Sequence, residues 1–235
     1  MKILSIDTAN REGHAALLDG ESAVDQRHFQ GPEGHMLHLP EAVTAMLAAA
    51  AWTPASLELI AVTIGPGAFT GLRIGLGFAK GLAMARHLPL IGISTLELMA
   101  ATARLAATPP LSSARSLPSE TLTPPLPTSL AVTQQPLLVT MDARRGDLFA
   151  ALFQPDGLLL WSPQRWQPET LDARVAKLPG GVLRVDDGLC DPVTLGRLGL
   201  RHLRERGSDN PLTLEPLYLR RADAEKALSP PSDPA

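Results

Sequence analysis

The sequence predicts an α/β fold in which mixed β-sheets are flanked by helices. Three apolar, β-like runs open the chain, and helical and β-like segments then alternate, a pattern typical of a sheet with both antiparallel and parallel strands. A second series of strands and helices begins at Leu137, beyond a stretch rich in proline. With 235 residues, 45% of them hydrophobic, the chain is long enough for one large or two small packed units.

Periodicity and turn residues predict the elements of the first unit. The Asp19-Gly20 pair between two β-like runs is typical of a hairpin turn. A helix over 35–50 carries Leu39, Val43 and Met46 on one apolar stripe. The same logic along the unit predicts strands 2–8, 14–18, 22–29, 59–64 and 90–93 and helices 35–50, 71–86 and 95–105.

A proline-rich stretch over 107–136 interrupts this pattern. It mixes 7 prolines with serine and threonine, a composition that cannot form a core, so we expect a mobile linker or a surface insertion. Beyond it, apolar runs predict strands 137–141, 148–153, 158–161 and 182–185, helices 169–178 and 192–206, and a short helix over 222–228.

Composition and charge exclude several classes of protein. The formal net charge of −3 gives no overall positive field that would attract nucleic acid. The single cysteine, Cys190, excludes an intramolecular disulfide and a cysteine-rich metal site. Residues 1–7 are typical of a strand rather than a signal peptide, and no apolar run reaches the roughly 18 residues that a membrane span needs. We therefore expect a cytoplasmic protein without a membrane segment.

The glycine-rich segment 64–75 is the most informative motif. Gly65 and Gly67 allow a sharp turn after a strand, and Thr70 is predicted to cap a helix that begins near Gly71. The free N–H groups at such a helix start are a candidate contact for an anion or a nucleotide phosphate. The segment lacks the Lys-Ser or Lys-Thr of a Walker A loop, and its spacing misses the dinucleotide fingerprint by one residue. The alternative is a turn that binds no ligand.

The helix over 71–86 contains Gly75, Gly77 and Gly81. Each interior glycine costs about 1 kcal/mol relative to alanine, so the three together cost roughly 3 kcal/mol. That is a large share of the net stability of a domain. A neighbour must therefore approach this helix closely. It is either another part of this chain or a partner protein, and both alternatives stay open.

Two aspartates at strand ends are candidates for phosphate or metal–nucleotide binding. Asp7, followed by Thr8, ends the first strand, and Asp142 ends the first strand of the second series, two residues before Arg144. The alternative is that both aspartates cap turns, which aspartate does readily. Arg144 and Arg145 likewise either contact a phosphate or an acidic partner, or belong to a solvated turn.

His35 and His38 lie three residues apart at a predicted helix start and share one face. Two histidines make an incomplete zinc site, because zinc needs at least three protein ligands and the sequence offers no HExxH motif or cysteine pair. We therefore expect both histidines to lie at the surface or at an interface, and no metal site.

Five blocks of sequence together resemble the bacterial TsaB (YeaZ) family. They are residues 3–8, 65–75, 92–95, 141–146 and 217–220. The blocks Gly-Pro-Gly-Ala-Phe-Thr-Gly and Asp-Ala-Arg-Arg-Gly are the more specific ones, and the resemblance covers nearly the whole chain apart from 107–136 and the last few residues. Proteins of this family take part in making N6-threonylcarbamoyladenosine at position 37 of tRNAs that read ANN codons.

The resemblance implies the two-lobed fold shared by actin, Hsp70 and sugar kinases. The first lobe would be 1–105 with 212–228 returning to it, and the second 136–211, with an insertion over 106–135 and a disordered tail over 229–235. It also implies a non-catalytic scaffold that pairs with TsaD through the first lobe and recruits TsaE, with tRNA bound indirectly. A homodimer is an alternative pairing. No tightly bound cofactor is implied, and at most weak binding of ATP or ADP.

A comparison with the catalytic relative TsaD leads us to expect that this chain does not itself catalyse the transfer. In TsaD, the strand corresponding to 90–93 is followed by a His-x-x-x-His metal motif, and the resemblance puts Thr95 and Met99 where those histidines stand. Threonine is a poor ligand for such a site and methionine is a soft thioether. The resemblance therefore implies a related scaffold that lacks this metal.

The candidate residues form two sets. The nucleotide or phosphate candidates are Asp7, Thr8, Gly65, Gly67, Thr70, Gly71, Asp142 and Arg144. The partner-interface candidates, which the resemblance places on helices 35–50 and 71–86, are His35, Leu39, Val43, Met46, Arg73, Gly75, Ala79 and Gly81. No catalytic or metal-ligating residue is assigned.

Three classes of function are compatible with the sequence. The leading one is the scaffold that binds TsaD. The second is an independent enzyme: an ATP-dependent phosphotransferase, which needs Asp7 and Asp142 on facing walls of one cleft, or a metalloprotease of the same fold, which needs a bound metal. The third is a regulatory module that binds a nucleotide without turnover.

Overall fold

A computed structural model describes residues 1–30, 32–107 and 134–219. The predicted helix over 222–228, the tail over 229–235 and most of the proline-rich segment lie outside the described residues. The elements in chain order are β1 (Lys2–Asp7), β2 (Glu12–Asp19), β3 (Ser22–Gln30), α1 (Pro32–Ala49), β4 (Leu59–Gly65), α2 (Phe69–Arg86), β5 (Leu90–Ser94), α3 (Thr95–Ala107), β6 (Leu137–Asp142), β7 (Leu148–Phe153), β8 (Leu159–Trp166), α4 (Pro168–Val175), β9 (Leu183–Asp186) and α5 (Pro192–Arg206).

The first sheet has five strands in the order β3-β2-β1-β4-β5. β1 pairs antiparallel with β2 and parallel with β4, and β4 pairs parallel with β5. The sheet is buried on both faces, since Ile3 lies in one apolar cluster and its neighbour Leu4 in another. Because parallel strands end at the same edge, Asp7, Gly65 and Ser94 are brought to one side of the sheet.

The second sheet has four strands in the order β8-β7-β6-β9, with β6 parallel to β9 and antiparallel to β7. Asp142 and Asp186 therefore end neighbouring parallel strands at one edge. Two mixed sheets with flanking helices confirm the predicted α/β class with two lobes.

The helices form layers around the two sheets. α1 and α2 cover the outer face of the first sheet, α5 covers its inner face, and α3 contacts strands of both sheets. Gly199 lets α5 lie directly on β4, because a Cβ at that position would be 2.5 Å from the Cβ of Ala61. α5 therefore packs on the first sheet, whereas the sequence prediction placed it in the second lobe with the rest of 136–211.

The predicted element boundaries agree closely with the structure except at β8. That strand continues to Trp166 instead of ending near 161, because its pairing with β7 runs from Phe153↔Leu159 to Leu148↔Trp166. Its polar residues hid this extension in the sequence. Among the helices of the described ranges, none combines the length and apolar character that crossing a bilayer requires.

Residues 209–219, which we call the C-terminal strap, return across the first lobe. The backbone N–H of Asp209 donates to the carbonyl of Leu90 on β5 at 2.8 Å, and that of Leu217 donates to the carbonyl of Ile64 on β4 at 2.6 Å. The strap thus lies beside the turn that follows β4, close to the start of α2.

Candidate functional site

The turn between β4 and α2 is held against the end of β1. Gly65 has a φ of +109°, a conformation that favours glycine, and its bond to Pro66 is cis. A Cβ on Gly67 would lie 2.4 Å from the carbonyl oxygen of Ala9, and the N–H of Ala68 donates to the same oxygen at 2.6 Å. These glycines therefore serve contacts within the chain, which supports the alternative of a turn with a structural role.

Thr70 does not cap α2, contrary to the sequence prediction. The helix begins at Phe69 with Ala68 at the N-cap position, and no side chain of the described residues caps it. Thr70 is exposed within the first turn, whereas Gly71 is buried. A phosphate contact at this helix start stays a prediction.

Asp7 is a buried structural acceptor at the edge of the first sheet. Its side chain is 0% exposed, and Oδ1 accepts from the hydroxyl of Thr63 at 2.7 Å and from the N–H of Ala9 at 3.0 Å. The thiol of Cys190 is also hydrogen-bonded to Asp7. Burial first, and then the charge of Asp7, raises the pKa of that thiol well above its usual value. In this arrangement Asp7 supports the fold, and neither it nor the fully buried Thr8 offers a surface to a nucleotide.

Asp142 occupies an exposed turn. Its Oδ1 accepts from the N–H of Arg144 at 2.7 Å, and its own N–H donates to Oδ1 of Asp187 at 2.9 Å. Arg144 and Arg145 adopt φ values of +61° and +59°, so two successive residues are left-handed. Asp142 thus caps its turn and is exposed, whereas Asp7 is buried, so the two carboxylates differ in their access to solvent.

The sequence left open whether the glycines of α2 face another part of this chain or a partner protein. The structure gives a different answer for Gly75 than for Gly77 and Gly81. A Cβ on Gly75 would lie 2.1 Å from Oγ1 of Thr8, so internal packing requires glycine there. At Gly77 and Gly81, no described atom lies within 4 Å of a Cβ. These two glycines face outward, where internal packing does not explain them.

Four of the predicted interface residues belong to the core of the first lobe. Leu39, Val43 and Met46 of α1 and Ala79 of α2 are at most 3% exposed and pack on the first sheet. The assignment of Val43, Met46 and Ala79 to a partner interface is wrong, because the apolar stripe of an amphipathic helix covers its own sheet here, whereas Leu39 also reaches a groove between α1 and α2. His35 lies in α1, but its side chain is outside the described ones.

Thr95 and Met99 lie at the start of α3 and are 0% and 2% exposed. Met99 packs in the same apolar cluster as Val185 and Cys190, between the two sheets. Within residues 1–30, 32–107 and 134–219, no group of three or more histidine, cysteine, aspartate or glutamate side chains is placed to share a metal ion.

The outer side of α2 forms an apolar groove with α1 that the sequence analysis did not identify. Its volume is about 560 Å³, and its lining residues are Leu39, Pro40, Phe69, Thr70, Arg73, Ile74, Gly77 and Phe78. Phe69 is 43% exposed, and Met84, farther along the same helix, is 49% exposed. Positions 69, 73, 77 and 81 are four residues apart, so they share one side of α2. The glycines on that side were the signal for the groove that the sequence offered.

The side chain of Arg73, which lines this groove, is held by an aromatic pair. The guanidinium carbon lies 3.7 Å from the ring centroid of Phe69, and Nε donates to the hydroxyl of Tyr218 at 2.9 Å. The two aromatic ring centroids are 5.3 Å apart. Tyr218 belongs to the C-terminal strap, so the strap contacts two of the residues that line the groove.

Comparison with known proteins identifies the family. The chain is 30% identical, over 193 residues, to the tRNA threonylcarbamoyladenosine biosynthesis protein TsaB of Escherichia coli K12, an alignment that spans 80% of this chain and 72% of that protein. The chain belongs to the TsaB family. A second TsaB-family relative, from Bacillus subtilis, is 36% identical over 104 residues, which are 44% of this chain and 45% of that protein.

The fold and the first lobe show two further similarities. The structure of YeaZ from Pseudomonas aeruginosa matches with a TM-score of 0.70 at 22% identity, covering 93% of this chain and 99% of that one, and so shows the same fold. The family model described as TsaD, tRNA N6-adenosine threonylcarbamoyltransferase, matches residues 31–116. That range contains α1, β4, α2, β5 and α3, so this part of the first lobe is similar to TsaD sequences.

Proposed function

We propose that this chain is a non-catalytic subunit required for making N6-threonylcarbamoyladenosine in tRNA, and that it binds TsaD through the outer face of its first lobe. Its TsaB-family relatives are named for the biosynthesis of this modified nucleoside. The match of residues 31–116 to the TsaD model supports a partner with a lobe of similar construction. Two such lobes can pair through equivalent helices.

The outward face of α2 is the observation that carries this proposal. Gly77 and Gly81 cost about 1 kcal/mol each relative to alanine, and no described atom packs over them. The exposed side chains of Phe69 and Met84 lie on the same helix, and the groove beside α1 is apolar. A partner helix that approaches over the glycines would bury this apolar surface and explain their presence.

The buried positions at the sheet edge support a role without its own transfer chemistry. Asp7 is engaged by Thr63 and Ala9 within the fold, and Thr95 and Met99 supply a hydroxyl and a thioether inside the core. None of these side chains is placed to act on an external substrate. In the proposed complex, the reacting groups come from TsaD.

The remaining parts of the proposal extend the family resemblance. TsaE joins the pair formed with TsaD, and tRNA is held mainly by the partner, consistent with the net charge of −3 of this chain. The work takes place in the cytoplasm, where tRNA is found. ATP or ADP binds weakly, which calorimetric titration of the isolated chain with each nucleotide tests. Self-association through the same face of α2 is the alternative to the complex with TsaD.

A reconstituted reaction tests the central claim. TsaD, TsaE, the threonylcarbamoyl-adenylate donor and tRNA are incubated with and without this chain, and the modified nucleoside is measured by mass spectrometry. We expect modification only with the chain, and loss of both TsaD binding and modification in Gly77→Leu. Ala173→Leu, an equivalent change on the exposed side of α4, is the control and leaves both unchanged. Equal modification in the absence of the chain contradicts the proposal.

A further inference from the structure

Arg73 is the one charged side chain among the described residues that line the apolar groove. Its neighbours there are Phe69, Ile74 and Phe78 on α2 and Leu39 and Pro40 on α1. A cation in such a setting needs a counter-charge once a partner excludes water, because an unpaired buried charge is strongly destabilising. The charge of Arg73 therefore restricts what can occupy the groove.

The side chain of Arg73 is positioned before any partner arrives. Phe69 stacks on its guanidinium at 3.7 Å, and the hydroxyl of Tyr218 accepts from Nε at 2.9 Å. The planar group has five N–H donors, and this hydrogen bond uses only the one on Nε. The two terminal nitrogens can donate together to both oxygens of a carboxylate, the pairing that the guanidinium fork favours. Ordering the side chain in advance lowers the entropic cost of binding.

No described carboxylate side chain lies within 4.0 Å of Arg73, whereas Arg184, Arg201 and Arg206 on other surfaces each have at least one. We propose that the groove accepts a helix of TsaD that presents an aspartate or glutamate to Arg73 in an otherwise apolar stretch. This inference rests on the proposed function and specifies the chemistry of the partner surface. Grooves between two helices commonly take an amphipathic helix as their occupant.

Charge also favours TsaD over a second copy of this chain. A two-fold symmetric dimer brings the same patch of both subunits together. A dimer formed through this groove would bury each Arg73 without a counter-charge, because no described residue that lines the groove is acidic, and this penalises self-pairing. A helix that carries a carboxylate at that point turns the same charge into an attraction, so Arg73 acts in specificity as well as in affinity.

Charge reversal with rescue tests this inference. TsaD is titrated by calorimetry into the full chain and into Arg73→Glu, Arg73→Lys and the control Arg204→Glu. The control makes the same change of charge on α5, at a side chain that is 67% exposed on the other face of the sheet. We expect Arg73→Glu to weaken binding by at least about thirtyfold, Arg73→Lys to weaken it less, and the control to match the wild type. Replacing one groove-facing carboxylate of TsaD by arginine should restore binding to Arg73→Glu.

The outcomes separate this inference from the proposed function. If the wild-type chain does not bind TsaD, the proposed function is wrong and this inference falls with it. If the wild type binds and Arg73→Glu, with an unchanged melting temperature, binds equally well, only the inference is wrong. It is also wrong if no carboxylate exchange on TsaD rescues the variant, or if Arg73→Glu alters only self-association in sedimentation. The inference is also wrong if TsaD binds only a chain truncated after residue 219, because residues 220–235 would then be the native occupant of the groove.

Discussion

Replacing Gly75 and Gly77 by alanine distinguishes the two roles that the structure gives to the glycines of α2. Both positions are inside the same helix, so alanine gains about 1 kcal/mol of helix propensity at either one. At Gly77 no described atom lies within 4 Å of the new Cβ. We therefore expect Gly77→Ala to raise the free energy of unfolding by about 1 kcal/mol.

At Gly75 the new Cβ would lie 2.1 Å from Oγ1 and 3.2 Å from the Cβ of Thr8, a side chain that is fully buried. Overpacking of this kind costs about 1–3 kcal/mol, and so short a contact belongs at the upper end of that range. After the gain in helix propensity, Gly75→Ala should lower the free energy of unfolding by about 2 kcal/mol. Two neighbouring glycines are thus expected to respond with opposite signs.

Urea unfolding followed by circular dichroism measures both variants. For a chain of this size, a change of 1 kcal/mol corresponds to about 2–4 °C in melting temperature, which gives an independent check. Thr8→Ala combined with Gly75→Ala should recover at least about 1 kcal/mol relative to the sum of the single changes, since the two side chains touch. If Gly75→Ala proves as stable as Gly77→Ala, the contact between α2 and Thr8 does not explain the glycine.

Two further substitutions and one test of thiol reactivity rest on the described contacts. Met46→Ala should lower the free energy of unfolding by about 2–5 kcal/mol in thermal melts, because Met46 is a core residue of the first lobe; an unchanged stability with weakened TsaD binding would contradict that. Burial alone would raise the pKa of Asp209, but the guanidinium of Arg206 and the N–H of Gly92 outweigh it and hold the pKa below its usual value. This stabilisation is present above the unfolded pKa and lost as the pH falls through the folded one. Asp209→Asn should therefore be about 1 kcal/mol less stable at neutral pH, and the difference from the wild type should begin to shrink near pH 4 and disappear below the folded pKa, as urea titrations over pH would show. The Cys190 thiol, with its pKa raised mainly by burial, should react with Ellman's reagent only after denaturation, and rapid reaction in the native protein would refute that assignment.

The local sequence pattern predicted the helices and strands well, because a strand that is buried on both faces of its sheet is a continuous apolar run. The strands β1, β4 and β5 are apolar runs bounded by turn residues, and their order with α1 and α2 between them predicts parallel pairing. The extension of β8 was missed because its residues are mostly polar and pairing with β7, not apolar character, defines it. The position of α5 was missed because nothing local states which sheet a helix covers.

The site was predicted less completely, since its parts meet only in three dimensions. Arg73 and Tyr218 are 145 residues apart, and no spacing rule connects them. The stripe of Leu39, Val43 and Met46 has the same period whether it faces a core or a partner, so the sequence could not distinguish the two. Likewise, the sequence could not show that Gly75 faces Thr8 while Gly77 faces outward.

The C-terminal strap has a consequence for how the protein is made. Leu214 is partly buried and packs against the apolar cluster between the first sheet and helices α1 and α2, and Asp209 bridges to Leu90 at the edge of that sheet. These residues follow both sheets in the chain, so the first lobe lacks their contacts until the second sheet has been synthesised. Contacts between such distant positions slow folding, because a long loop must be closed before they form. Nascent chains stalled ahead of residue 209 should therefore keep this lobe incomplete, and the contacts of the strap with β4 and β5 form only after residues 209–219 have been synthesised.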